Sequence, residues 1–305
     1  MRPSDGLGKV KAWLALSRLP FHTVGVLPYV LGLILARRVN SSVRWDIFAW
    51  GVGGVVLIML AAYYGGEYWD WEEDAISERS PFAGGSKVLQ AGTLKRLTAL
   101  IASIVCLVLA LGVGVLLQFG HGTGPWTIPL CLTGLFGGFC YSARPVRWVG
   151  RGLGELWIAF CYGWLPVATG FYLQTGYFSP TVHWMALPVG LSIFNVILLN
   201  EFLDYSADRQ TAKTNLVVRL GQSRAAILFA LVTVLSWVTF VISVRNGVPW
   251  KALWLYTPVF LLSAVLIFFV LRGSWRHRAA LERLCGFNMA VNLGTTGVFI
   301  AAIAF

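Results

Sequence analysis

Two short acidic stretches hold the side chains best suited to chemistry. The first runs Gly66-Glu67-Tyr68-Trp69-Asp70-Trp71-Glu72-Glu73-Asp74 and the second Asn200-Glu201-Phe202-Leu203-Asp204-Tyr205-Ser206-Ala207-Asp208. Both read E-x-x-D-x-x-x-D, with an aromatic residue directly after the first Asp. On a helix these offsets share one face, so each copy aims three carboxylates the same way. Each copy also closes a long apolar run, at the end where the helix dipole is negative and repels the acids. Such a cluster calls for a strong cation. Magnesium takes hard oxygen ligands and usually binds through one or two carboxylates together with substrate phosphates. Two opposed clusters therefore read as a site for a pair of Mg2+ ions and a diphosphate. Asp70, Asp74, Asp204 and Asp208 are the expected catalytic metal ligands, with Glu67 and Glu201 binding the metal directly or through water. One acidic stretch alone could equally be solvated loop charge; the repeated spacing after two like runs argues for a metal.

A diphosphate also needs cations from the chain. Lys87 follows a flexible Gly84-Gly85-Ser86 turn, Arg144 and Arg147 lie in Tyr141-Ser142-Ala143-Arg144-Pro145-Val146-Arg147, and Lys213 follows the second acidic motif. Arginine grips phosphate with two parallel hydrogen bonds, whereas lysine acts as a point charge. Arg18, just before Pro20, is a further but weaker candidate. Any of these taken singly is equally well explained as a loop cation. Tyr68, Trp69, Trp71 and Tyr205 sit among the acids and could wall a pocket in which a carbocation is stabilised by its π faces; interfacial anchoring is the competing role. Asn195 and Asn200 precede the second motif and are read either as substrate contacts or as bonds between helices. The four histidines form no cluster, and the five cysteines show no C-x-x-C spacing, which reads as small buried residues rather than a metal or disulfide site.

The elements that must position these residues are membrane helices. The 305 residues are 57% hydrophobic and only 12% charged, with a mean hydropathy of +0.71, which excludes an ordinary soluble domain. Nine apolar runs recur at roughly 20–36, 47–66, 97–118, 126–141, 154–174, 182–200, 224–244, 252–271 and 286–305, the fourth of them short. The expectation is a single all-α domain over 1–305, a polytopic bundle of about nine transmembrane helices with cytoplasmic cap loops. A net charge of +11 is of the sign that suits nucleic acid, but its distribution argues against such a partner. Nineteen of the 24 Lys and Arg fall on one set of loops and five on the other. The positive-inside rule then puts the N-terminus, both acidic motifs and the loops after them on the cytoplasmic side. Four spans separate the motifs, so the two halves read as parallel repeats with a site between them.

At these motifs the chain resembles the UbiA superfamily of intramembrane prenyltransferases. That family pairs an N-D-x-x-D-x-x-x-D type motif with a second D-x-x-x-D motif on a nine-helix bundle. The resemblance covers nearly the whole chain and is most specific at Glu67–Asp74, Gly84-Gly85-Ser86-Lys87, Tyr141–Arg147 and Asn200–Asp208 running on to Lys213. It implies substrate-binding roles for Lys87, Tyr141, Arg144, Arg147, Asn195, Asn200 and Lys213. Gly152-Leu153-Gly154-Glu155-Leu156 and Gly170–Gly176 look most like the branch that prenylates 1,4-dihydroxy-2-naphthoate on the way to menaquinone. Two positions depart from the pattern: the leading Asn is Gly66 here, and the next acid is Glu67 rather than Asp. The resemblance implies an integral membrane enzyme that uses Mg2+ to ionise a prenyl diphosphate. An aromatic acceptor then attacks the allylic cation, under a cap formed by 75–96 and 209–223. The same ionisation without an outside acceptor would make a terpene cyclase. A transporter of divalent cations or phosphorylated solutes is the reading from another class, but transporters hold their acids near the bilayer midplane. The lipid bilayer is the expected surrounding, and the sequence leaves acceptor, chain length and oligomeric state open.

Overall fold

The computed structural model describes residues 6–40 and 42–305, and among these it is helical, with no β-strand. The start of the chain, whose cytoplasmic placement the charge pattern predicts, lies outside the described residues. The helices are α1 Gly6–Ser17, α2 Thr23–Asn40, α3 Trp45–Trp69, α4 Trp71–Ile76, α5 Arg96–Val115, α6 Thr127–Cys140, α7 Gly154–Ala159, α8 Leu165–Thr175, α9 Pro180–Gln210, α10 Leu216–Leu220, α11 Gln222–Arg245, α12 Lys251–Leu271 and α13 Arg278–Ala304. Arg18 in the left-handed region (φ 46°) and Pro20 turn α1 into α2. Ser179 starts α9 by accepting a hydrogen bond from the Thr181 amide, with Pro180 in the first turn where its missing N–H costs nothing.

Eight helical segments among the described residues are long and apolar enough to cross a membrane, against nine runs expected. The difference is α6, whose 14 residues reach only about 21 Å at 1.5 Å per residue, short of the ~30 Å hydrocarbon core. Tyr141-Ser142-Ala143-Arg144-Pro145 ends it early, because the residue before proline avoids helical geometry. Between α7 and α8 the Leu165 amide donates to the Phe160 carbonyl five residues back, a widened turn. Pro166, which has no amide to offer, follows it.

The helices close into a ring around a central space. α3 packs against α5 and α6, α2 against α8, α9 against α11 and α13, and α13 returns to α2. The α2–α8 contact is backbone to backbone. A Cβ on Gly32 would run into the Val167 carbonyl, and one on Gly170 into the Tyr29 carbonyl, so only glycine permits this approach. α9 is the most enclosed span, whereas α5 and α12 are the least. Their outward faces carry Val105, Val108 and Leu109 on α5 and Leu261, Val265 and Phe268 on α12, all exposed. A surface of that kind is stable only against lipid, and the protein is an integral membrane protein.

Candidate active site

Both acidic motifs open into one cavity of about 340 Å³ in the middle of the ring. α3 delivers the first motif and α9 the second. The second copy lies on the unbroken helix α9, as the spacing requires; in the first copy α3 stops at Trp69 and α4 resumes at Trp71. Asp70 sits at that break, its amide still bonded to the Gly66 carbonyl at 2.8 Å and its carbonyl to the Asp74 amide at 2.8 Å. The face therefore survives. Glu67, Asp70, Asp74, Glu201, Asp204 and Asp208 all line the cavity.

The loop between α4 and α5 crosses over both motifs. The Gly84 amide donates to Asp204 Oδ2 at 3.2 Å, and Ser86 donates its amide and hydroxyl to the two Glu67 oxygens at 2.7 and 2.8 Å. Gly85 has φ +65°, and a Cβ there would fall on the Asp74 carboxylate, which only glycine avoids. Lys87 donates its ammonium to the Asp74 and Ser77 carbonyls and so fastens the start of this strap. The loop after α9 is fastened in the same way. Lys213 pairs with Asp208 at 3.3 Å, Asn215 donates to Asp208 Oδ2 at 2.7 Å, and the Leu216 amide donates to Glu155 Oε1 at 2.6 Å.

The site concentrates negative charge. Burial, followed by the Glu67 and Asp70 carboxylates, pushes the Asp74 carboxyl up to about 7. Burial opposes the Lys213 ammonium, but the attraction of Asp208 and Asp70 outweighs it and raises its pKa. Asp70 Oδ1, Asp204 Oδ1 and both Glu201 oxygens are buried with no hydrogen-bond partner among the described residues. Hard, unsatisfied oxygen donors of this kind suit Mg2+. Among the described residues no three such side chains converge on one point. The carboxylates stand instead on the α3 and α9 walls of the cavity, an arrangement that suits an ion completing its shell with water and substrate phosphate.

The expected substrate residues divide. Tyr141, Asn200 and Lys213 line the cavity, and so does Arg18, the weaker candidate, whose guanidinium reaches Glu67 at 3.2 Å. Lys87, Arg144 and Asn195 do not line it. Lys87 is turned onto loop carbonyls, Arg144 is exposed, and Asn195 donates to the Phe229 carbonyl at 3.0 Å and to Thr233 at 2.9 Å, bonding α9 to α11. Arg147 stands one residue back, paired with Glu73. The aromatics placed among the acids also turn away from the cavity, since an aromatic neighbour of an acid on a helix points about 100° from it. Arg96 stacks over Tyr68 at 4.6 Å and Arg209 over Tyr205 at 5.7 Å, while Trp69 packs edge-on against Tyr68. The rings that do face the site are Phe21, Tyr63, Phe82, Tyr141 and Tyr162. Tyr63 was findable, one helical turn before Glu67; Tyr162 is brought in by the widened turn, which periodicity does not reveal. Glu73 and Ser142 were also missed. Ser142 donates to Asp70 Oδ2 at 2.8 Å, and a Cβ on Gly66 would lie 3.8 Å from the Ser142 hydroxyl and 3.9 Å from Asp70. Position 66 thus faces the site with room for a side chain.

Known proteins share this fold. Residues 25–292 match the UbiA prenyltransferase family. A 2-carboxy-1,4-naphthoquinone phytyltransferase of Synechocystis sp. is 25% identical across 83% of this chain and 80% of its own length. A 1,4-dihydroxy-2-naphthoate octaprenyltransferase of Bacillus subtilis is 22% identical across 75% of this chain and 72% of its own. In three dimensions a UbiA homolog from Archaeoglobus fulgidus, solved bound to GPP and Mg2+, superimposes with a TM-score of 0.70 at 14% identity, over 95% of this chain and 99% of that one. That last likeness is one of fold. The family match runs from α2 into α13 and takes in both acidic motifs, and the chain belongs to the UbiA prenyltransferase family.

Proposed function

We propose that this prenyltransferase moves a polyprenyl group from a prenyl diphosphate to 1,4-dihydroxy-2-naphthoate or a closely related quinone precursor, with Mg2+ as cofactor. The observation that carries the reading is the cavity: seven carboxylates, Glu73 among them, and two cations, Arg18 and Lys213, at one end, and an apolar interior below. The names of the two relatives support the naphthoate class of acceptor. The Lys and Arg asymmetry between loops supports a site open to the cytoplasm of the inner membrane. Asp70, Asp74, Asp204 and Asp208 would hold the metal, with Glu201 offering two further oxygens. Bound there, Mg2+ would offset the negative charge that grows on the leaving diphosphate.

The chain's own residues do the rest. Lys213 and Arg18 attract the diphosphate, and the Gly84–Ser86 strap keeps water from the reacting carbon. The carbon–oxygen bond breaks with its electron pair leaving on the diphosphate. Tyr63, Tyr141 and Tyr162 face the resulting allylic cation with electron-rich rings. An electron-rich carbon of the acceptor ring then forms the new carbon–carbon bond, and the ring regains its aromaticity by losing a proton from that carbon, or neutral CO2 where that carbon bears the carboxylate. The test is a product screen by mass spectrometry, with purified protein, Mg2+ and several prenyl diphosphates offered naphthoate, benzoate and glycerol-phosphate acceptors. Prenylated naphthoate as the main product is expected; a cyclic hydrocarbon made without acceptor, or prenylation of another acceptor alone, overturns the assignment. Asp70→Asn and Asp204→Asn are each expected to lower turnover at least a hundredfold in folded protein, and wild-type turnover in either removes that residue from the metal site.

A further inference from the structure

The strap over the acids has a fastening that the chemistry above does not use. It leaves α4 at Ser77, and its Phe82, Ala83, Gly84 and Gly85 line the cavity. Most of its polar contacts return to the acidic motifs: Gly84 on Asp204, Ser86 on Glu67 and Lys87 on the Asp74 carbonyl. One set reaches further. Arg278, the first residue of α13, donates Nη2 to the Glu78 carbonyl at 3.2 Å and to the Arg79 carbonyl at 3.3 Å, while Nη1 lies 3.0 Å from the Glu78 carboxylate. Among the described residues these are the strap's only polar contacts with a helix that carries neither motif.

Two features argue that this contact serves the strap rather than the helix. A helix start favours acids, yet α13 has none in its first turn and places the Arg278 cation there. The Glu78 side chain is 75% exposed, so that ion pair is screened by water and holds little by itself. The weight falls on the two carbonyls, which one guanidinium nitrogen reaches together. Phe82, three residues beyond Arg79, stands edge-on to Phe21 at 6.5 Å, and a Cβ on Gly286 of α13 would lie 3.5 Å from its ring. Phe82 thus fills the gap between the turn into α2 and α13, at the cavity's edge. We infer that Arg278 is a positioning residue: it pins the strap to α13, keeps Phe82 in that gap, and so bars water from the allylic cation. The inference rests on the prenyl-transfer reading above. Without the pin, water adds to the cation. Its oxygen forms the new carbon–oxygen bond, one proton passes to solvent, and prenyl alcohol and diphosphate are released in place of the transfer product.

Arg278→Met keeps the aliphatic stem and removes every donor, whereas Glu78→Gln removes the carboxylate and leaves the carbonyl contacts. Two measurements read them. In purified protein without substrate, hydrogen exchange at 77–86 is expected to quicken about tenfold in Arg278→Met and to stay at the wild-type rate in Glu78→Gln, with the interior amides of α13 unchanged in both. With Mg2+, a prenyl diphosphate and the naphthoate acceptor, the ratio of prenyl alcohol to transfer product is expected to rise about tenfold in Arg278→Met and not in Glu78→Gln. Should Arg278→Met not fold, Arg278→Lys, which offers a more strongly hydrated point charge, carries the same test at about threefold. Wild-type exchange and a wild-type ratio in the Arg278 variant, or an equal rise in Glu78→Gln, overturn the pin. Faster exchange with an unchanged ratio overturns its part in excluding water. A wild-type protein that makes no transfer product from any prenyl diphosphate overturns the prenyl-transfer reading instead, and the exchange measurement still judges the pin.

Discussion

Lys213 offers the sharpest test of how the second motif is held. Its ammonium lies 3.3 Å from Asp208 Oδ1, with the lysine side chain 12% exposed and the aspartate 1%. At that distance, with an effective dielectric constant near 20, the Coulomb attraction is about 5 kcal/mol. Removing one partner of a buried pair typically costs about 3–5 kcal/mol, because the other charge stays buried without compensation. Lys213→Met keeps the aliphatic stem and deletes only the charge, so the loss falls on Asp208, whose other partner Asn215 remains. Adding Asp208→Asn removes the stranded charge. The double variant is therefore expected to recover most of the lost stability while staying inactive, since the proposed function assigns both residues to the site. Unfolding followed in detergent should rank wild type first, the double variant next and Lys213→Met last, at Mg2+ concentrations low enough to leave the site unloaded. A single variant as stable as wild type, or a double variant no more stable than Lys213→Met, would refute the reasoning. Lys213→Arg, which retains the charge, should stay within about 1 kcal/mol of wild type.

The strap and the metal cluster allow three further checks. Gly85→Val should lower turnover more than tenfold, because its Cβ meets the Asp74 carboxylate and its backbone stands at positive φ; unchanged turnover would mean the strap does not take this path in the working enzyme. The Asp74 carboxyl, raised to about 7, holds its proton below that pH, and the proton competes with the metal. Apparent Mg2+ affinity should therefore strengthen from pH 6 to pH 8 by about tenfold, as a group near pKa 7 loses its proton, and flat affinity over that window would contradict it. Gly66→Asn should fold and melt no lower than wild type, since its Cβ finds nothing nearer than 3.8 Å and a helix-interior glycine costs about 0.5–1 kcal/mol relative to alanine; a lower melting point would show that the space is not there.

Much of this was legible in the residues. Offsets of three and seven place Glu67, Asp70 and Asp74, and again Glu201, Asp204 and Asp208, on single helical faces, and the structure brings both faces to one cavity. Hydropathy located the helices, missing chiefly α1, whose Lys9 and Lys11 interrupt the apolar run, and overstating α6. Side-chain partners within loops were not legible. Lys87 follows a glycine turn beside the acids, yet a backbone conformation at φ 64° directs its ammonium onto carbonyls. Asn195 lies on the helix of the second motif but five residues before Asn200, about 500° of rotation, which is 140° away from its face. The aromatics follow the same rule, and the rings that do line the site sit a helical turn from the acids or arrive through a widened turn that no periodicity announces.

The two acidic copies match in spelling but not in circumstance. Glu67 is already engaged by three donors, two from Ser86 and one from Arg18, while its counterpart Glu201 receives none from the strap and stands beside Glu155. The repeated motif has thus produced an asymmetric pair of acids: one committed to holding the roof, the other left clear of it. On the proposed Mg2+ reading, two ions would meet inequivalent berths, and occupancy should proceed in two stages rather than as a single saturable step.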